Sequence, residues 1–118
     1  MTHFRRVHHH IFQDVYPWAG NFRKVRLGKA RSLFCYPEYI SSELKRIFGE
    51  LQRADRLRNR DAPDFARASA HFLAELNAVH AFRDGNGRAQ LAFMALLAAQ
   101  AGHLSNWNGS IPQPFWRP

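Results

Sequence analysis

The stretch "VHAFRDGNGRAQLAF", residues 79–93, decides how this chain is read. Gly85 and Gly87 flank Asn86, with His80 upstream and Arg88 immediately downstream. Helix-forming sequence lies on both sides, and each interior glycine costs a helix about 1 kcal/mol relative to alanine. The pattern therefore predicts a break between two helices, one ending near His80 and the next starting near Asn86. The first backbone N–H groups of the second helix have no internal partner, and its dipole is positive there. Glycines let an anion come close to such a backbone, which makes a phosphate cradle. Arg88 adds a planar, permanently charged fork. Asp84 alone would repel phosphate, but a carboxylate oxygen suits a divalent cation that bridges phosphates. A histidine side chain ordinarily changes charge near working pH, which makes His80 the candidate general base. The same residues also admit a structural reading, with Asp84 as helix N-cap, both glycines as turn residues and His80 as a helix-end group. Phe82 reads as a core anchor. What favours a site is the combination, because an ordinary turn has no use for GNG followed by arginine.

Outward from this break, four stretches show helical periodicity. Residues 4–16 place Val7, Ile11, Phe12 and Val15 on one face and stop at Pro17. Residues 42–58, capped by Ser41 or Ser42, bury Leu44, Ile47, Phe48 and Leu51. Residues 63–79 turn Phe65, Phe72, Leu73 and Leu76 inward behind Pro63. Residues 86–101 end at Gly102, and "LAFMALLAA" suggests a central helix surrounded by the others. Between Gly20 and Tyr36 the pattern alternates, with a turn expected at Gly28-Lys29. The expectation is a mainly α fold with a small β-hairpin, which must lean on the helices or on something bound.

Bulk composition bounds the rest. The length of 118 residues suits one domain, and 46% apolar residues suffice for one core. The single Cys35 excludes an internal disulfide. No window approaches a membrane span or a secretory signal, so a cytoplasmic protein is expected, or one exported by a signal not visible here. The formal charge of +8 favours an anionic partner. A nucleic-acid partner is not expected, since the Arg53, Arg56, Arg58 and Arg60 cluster, interleaved with Asp55 and Asp61, reads as a solvated helix end. His8, His9 and His10 point about 100° apart on a helix and do not converge on one ion. His71 and His103 read as packing or capping groups. Trp18, Trp107 and Trp116 read as core or rim anchors, and Cys35 as unreactive.

The string "HAFRDGNGR" resembles the signature of the Fic family, HxFx[DE]GNGRxxR, with His80, Phe82, Asp84, Gly85, Asn86, Gly87 and Arg88 all matching. "IFQDVYPWAGNFRKVRLGK" and "SLFCYPEYI" resemble the region ahead of that signature, including the hairpin called the flap, and the likeness covers about residues 8–105. The resemblance implies a Fic-type helical bundle forming a single core domain over residues 1–118. It is shortened at its C-terminus relative to many members, with residues 105–118 as coil. It also implies transfer of AMP from ATP to a hydroxyl side chain of a target protein. In that reading His80 deprotonates the hydroxyl, Asp84 holds Mg²⁺, and Gly85, Asn86 and Gly87 form the anion hole. Arg88 contacts the outer phosphates, and the hairpin near Leu33 and Phe34 aligns the target by strand addition.

Two positions depart from the family pattern. Ala81 stands where proline is usual, which loosens the loop. Leu91 stands where the final signature arginine helps place the γ-phosphate, and losing such a contact costs on the order of 1.5–3 kcal/mol. Leu91 keeps two alternatives open: a Doc-like phosphotransferase, against which the intact GNGR speaks, and a Fic-fold binding module with weakened activity. The string [ST]xxxE[GN] of the family's inhibitory helix does not occur in the sequence. The resemblance then implies a toxin-like enzyme, free or restrained by a separate small antitoxin.

Overall fold

The structure, a computed structural model, describes residues 2–29 and 32–103. Four helices carry it: α1 (Thr2–Phe12), α2 (Ile40–Arg53), α3 (Ala62–Val79) and α4 (Asn86–Gln100). Between α1 and α2 the chain runs extended and forms one short antiparallel pairing, β1 (Gly28–Lys29) with β2 (Ser32–Leu33), in which Gly28 faces Leu33 and Lys29 faces Ser32. The arrangement is the expected mainly α bundle.

The core forms where the helix stripes meet. Ile40, Leu44, Ile47 and Leu51 of α2 are buried with Phe65, Phe72 and Leu76 of α3 and with Phe93, Met94 and Leu97 of α4. Phe4 of α1 and Phe82 of the α3–α4 loop complete the cluster, their rings 5.3 Å apart. Asp61 caps α3 by accepting the Asp64 N–H at 2.9 Å. Gly102, at φ +83°, closes α4: its N–H reaches Ala99 O at 3.2 Å, and that of His103 reaches Ala98 O at 2.8 Å. This paired closure is the C-terminal motif in which glycine supplies the left-handed residue.

Several expectations need correction. Helix α1 ends at Phe12, well short of Pro17, because the Val15 N–H turns back onto Phe12 O, three residues away at 2.9 Å, in place of the i→i−4 bond that would continue the helix. Its buried stripe is Phe4, His8 and Phe12, while Val15 is exposed. Neither Ser41 nor Ser42 caps α2, which starts earlier behind a short turn at Pro37–Tyr39. Helix α2 also stops before Arg58, because Asp55, Arg56 and Leu57 take left-handed dihedrals. Gly28 and Lys29 are paired strand residues and do not form the turn expected there. Helix α4 is not surrounded: Leu96 and Ala99 are exposed. Trp107, Trp116 and the coil expected at 105–118 lie outside the described residues. Among the described residues no helix is long and apolar enough to cross a membrane.

Candidate active site

The loop over residues 81–85 joins α3 to α4, and Asn86 fixes its shape. That side chain is buried, accepting the Phe82 N–H at Oδ1 (2.8 Å) and donating from Nδ2 to Phe82 O (2.6 Å). Both backbone groups of Phe82 are thus satisfied away from water, and its ring is driven fully into the core. Asn86 therefore meets any ligand through its backbone, since its side chain is spent on the loop.

His8 supports the loop from beneath. Its ring is fully buried and stacks on Phe82 at 3.8 Å and 15°. The Gly20 N–H donates to His8 Nδ1 at 2.9 Å, so Nδ1 is an acceptor, the proton sits on Nε2, and Nε2–H donates to Asp84 O at 2.9 Å. Burial pushes the His8 pKa below its ordinary value, the largest of several influences, and the ring stays neutral.

Asp84 projects its carboxylate outward, with each oxygen held once. The Tyr16 hydroxyl donates to Oδ2 at 2.6 Å and the Gly85 N–H to Oδ1 at 2.8 Å. These two donors, Tyr16 foremost, hold the carboxyl below its usual range, and the same bond pushes the Tyr16 phenol up. The N-cap alternative for Asp84 fails, because Gly85 occupies that position and α4 has no side-chain cap. Among the described residues no group of three or more His, Cys, Asp or Glu could hold a metal. One ionised carboxylate fits a cation of the Mg²⁺ type, which keeps waters and shares its coordination with substrate phosphates.

Gly85 takes φ +80°, and a Cβ built there would stand 2.4 Å from Phe12 Cε2, so both conformation and space demand glycine. At Gly87 the reverse holds: a Cβ would meet nothing within 4 Å. The space beside Gly87, on the first turn of α4, is therefore open. Arg88 is half-buried with its guanidinium carbon 5.3 Å from the Phe12 ring centroid. Leu91, also half-buried, lies three residues further along α4.

His80 caps the C-terminus of α3 in the left-handed region, φ 51° and ψ 64°. Its ring lies flat on that of Phe34, centroids 3.9 Å apart and planes 8° apart. Phe34 follows β2 and donates its N–H to Leu27 O at 3.0 Å, so the hairpin side of the molecule touches His80 directly. Leu33, the other expected flap residue, pairs its backbone with Gly28.

Sequence reasoning missed three contributors: His8, Tyr16 and Arg23. The Arg23 side chain is buried, donating from Nε to His80 O at 2.6 Å, from Nη1 to Val25 O at 2.7 Å, and from Nη2 to Val79 O at 3.1 Å and to Cys35 O. Only its place among alternating residues hinted at this. Cys35 agrees with its unreactive reading, since burial, the largest influence, pushes its thiol pKa up.

Comparison with known proteins places this geometry. The sequence model of the Fic/DOC family matches residues 1–98. The chain is 50% identical over 115 residues to "Probable protein adenylyltransferase y4lH" of Sinorhizobium fredii, covering 97% of this chain and 60% of that protein. It is 33% identical to "Probable protein adenylyltransferase Fic" of Escherichia coli, covering 98% of this chain and 58% of that one. The BepC protein of Bartonella tribocorum, solved with bound AMPPNP, superposes with a TM-score of 0.77 at 26% identity, over 86% of this chain and 55% of that one. The chain thus spans less than two thirds of the length of these relatives. A signature seated on a loop between two helices, a matched fold and a family match over most of the sequence agree: the chain belongs to the Fic/DOC family.

Proposed function

We propose that this chain carries the catalytic core of a protein adenylyltransferase, using ATP with Mg²⁺ to modify a hydroxyl side chain of a target protein. The observation that carries the reading is the loop itself. The five-residue loop 81–85, pinned by Asn86 and His8, joins His80 at the end of α3 to the glycine-flanked N-terminus of α4, which has no side-chain cap, and carries the outward carboxylate of Asp84 between them.

In this proposal the phosphates of ATP lie over the first turn of α4. The backbone N–H groups of the GNG segment bind them, and Gly87 leaves the room. Arg88 holds the outer oxygens. Asp84 would hold Mg²⁺, which when bound neutralises phosphate charge. The side chain of His80 takes the proton from the target hydroxyl; its Nδ1 is buried, which leaves Nε2 to meet that hydroxyl. The hydroxyl oxygen bonds to the α-phosphorus, the α–β bridging P–O bond breaks, and pyrophosphate leaves. Preorganised donors and positioning supply most of the acceleration in such a transfer. The hairpin with Leu33 and Phe34 aligns the target segment beside His80. A separate small antitoxin completes the proposal, and co-purification from the native host tests it.

The deciding experiment incubates the protein and its His80→Ala variant with Mg²⁺ and ATP labelled at either the α- or the γ-phosphate, with lysate as the target source. Label from the α position that vanishes in the variant is the expected result. Transfer of the γ label alone would assign a phosphotransferase instead. Nucleotide binding without any transfer would leave a binding module.

A further inference from the structure

Arg23 is a cation buried to 4% exposure, and among the described residues no acidic side chain pairs with it. A buried charge is costly unless its hydrogen bonds are complete. Here the planar fork meets four backbone carbonyls, of Val25, Cys35, Val79 and His80. Val79 ends α3 and His80 caps it, so the guanidinium sits at the negative end of that helix dipole. The backbone of Arg23 joins in, its N–H donating to Ala81 O at 2.9 Å.

These bonds tie together parts distant in sequence. Val25 lies on the segment entering the hairpin, and Cys35 on the segment leaving it. Val79 and His80 lie at the end of α3. Phe34, next to Cys35, carries the ring on which His80 lies flat. His80 also holds a left-handed backbone, which costs a non-glycine residue about 1–2 kcal/mol and persists only where its surroundings enforce it. A lysine would keep the charge but offers a point of three donors in place of the fork.

We propose that Arg23 is a positioning residue that locks the His80 backbone and both arms of the hairpin into one spacing. It thereby sets the approach of the target hydroxyl to His80, and this role rests on the transfer reading above. Nucleotide binding, which uses the start of α4, does not depend on it.

The test compares the intact chain with Arg23→Lys. In NMR spectra of histidine-labelled protein, His80 ring protons in the intact chain are displaced by the Phe34 ring and assigned by their loss in His80→Ala. In Arg23→Lys these signals move towards unstacked positions while those of buried His8 stay in place. The dissociation constant for Mg-ATP, measured by calorimetry, stays within about twofold, whereas the rate of α-label transfer at saturating nucleotide falls about 100-fold, the scale of a 1 Å misplacement. Unmoved His80 signals, or undiminished transfer where the intact chain transfers label, would overturn the proposal. If the intact chain transfers no label, the transfer reading fails, and the NMR comparison still decides whether Arg23 positions His80. Should Arg23→Lys not fold, hydrogen exchange of the Arg23 Nε–H in the intact chain decides. Strong protection with a through-bond coupling to the His80 carbonyl supports the lock, and exchange at the rate of a free guanidinium overturns it.

Discussion

The Tyr16 hydroxyl donates to Asp84 Oδ2 at 2.6 Å across 68 positions of sequence. This bond is the main reason the Asp84 carboxyl lies below its usual pKa, so a residue just beyond α1 steadies the ionised side chain of the loop before α4. Tyr16→Phe removes this donor and leaves the Gly85 N–H in place. The Asp84 pKa then rises towards its ordinary value, and the carboxylate loses the contact that aims it. Mg²⁺-dependent ATP binding weakens several-fold while thermal stability changes little, because the pair is exposed. A carboxyl titration by NMR and calorimetry at two Mg²⁺ concentrations check both halves, and an unchanged Asp84 pKa would contradict the first.

Asn86→Ala leaves the N–H and the carbonyl of Phe82 buried without partners. Each such loss costs about 1–3 kcal/mol, so a destabilisation of about 2–6 kcal/mol is expected from urea melts. Asn86→Asp keeps the acceptor for the Phe82 N–H but faces a carboxylate to Phe82 O, and its loss is no smaller. Wild-type stability in either variant would show that the loop does not depend on this clasp.

Gly85 and Gly87 separate by the same experiment. Gly85→Ala pays for a left-handed backbone and for the Phe12 ring at 2.4 Å, about 2–4 kcal/mol together. In a double-mutant cycle with Phe12→Ala the steric part disappears and the backbone part remains. Gly87→Ala meets no protein atom, and a helical alanine in place of glycine gains about 0.5–1 kcal/mol. It also projects a methyl into the space assigned to phosphate. Higher melting temperature with weaker ATP binding is the expected signature, and unchanged binding would place the phosphates elsewhere.

His8 makes stability depend on pH. Its folded pKa lies below the ordinary 6.5, so below that pH the unfolded chain binds a proton that the folded chain resists. Stability is therefore complete above about 6.5 and declines as pH falls towards the folded value, with a slope of at most about 1.4 kcal/mol per pH unit from this one proton. Protonation also puts a hydrogen on Nδ1 against the Gly20 N–H. Replacing His8 with Gln should lower stability at pH 8 and flatten this limb between pH 6.5 and the carboxylate range. A limb of unchanged slope in His8→Gln would assign it to other groups.

These residues also show which parts were readable in advance. The α2 and α3 stripes follow helical period with ordinary apolar residues, and the GNG break announces itself by glycine inside helix-forming sequence. The stripe of α1 was misplaced because its central buried member, His8, is polar and stands first in a run of three histidines. Its burial depends on Gly20 and Asp84 supplying both ring partners, and neither is visible in a periodicity. Arg23 was hidden for a similar reason. A basic residue in an alternating segment reads as solvated, and only four carbonyls, two of them 56 and 57 positions away, make its burial affordable. Asn86, read first as part of the anion hole, is held by a loop whose closure no local pattern specifies.

Leu91 gives the sharpest test of what the signature supplies. It lies on α4 three residues beyond Arg88, close to the same face, and is half-buried. Leu91→Arg restores the missing signature residue with a side chain long enough to carry its charge outward over an apolar stem. If ATP lies over the first turn of α4, the new guanidinium adds a charge-assisted contact of about 1.5–3 kcal/mol, about tenfold or more in affinity. The contact is made to the outer phosphates, so AMP binding should not change and ATP binding should tighten. Stability should fall slightly, because a partly buried apolar side chain is replaced by one that must stay solvated. Equal effects on AMP and ATP would mean that the added charge acts at long range, and no effect on either would place the outer phosphates away from this face of α4.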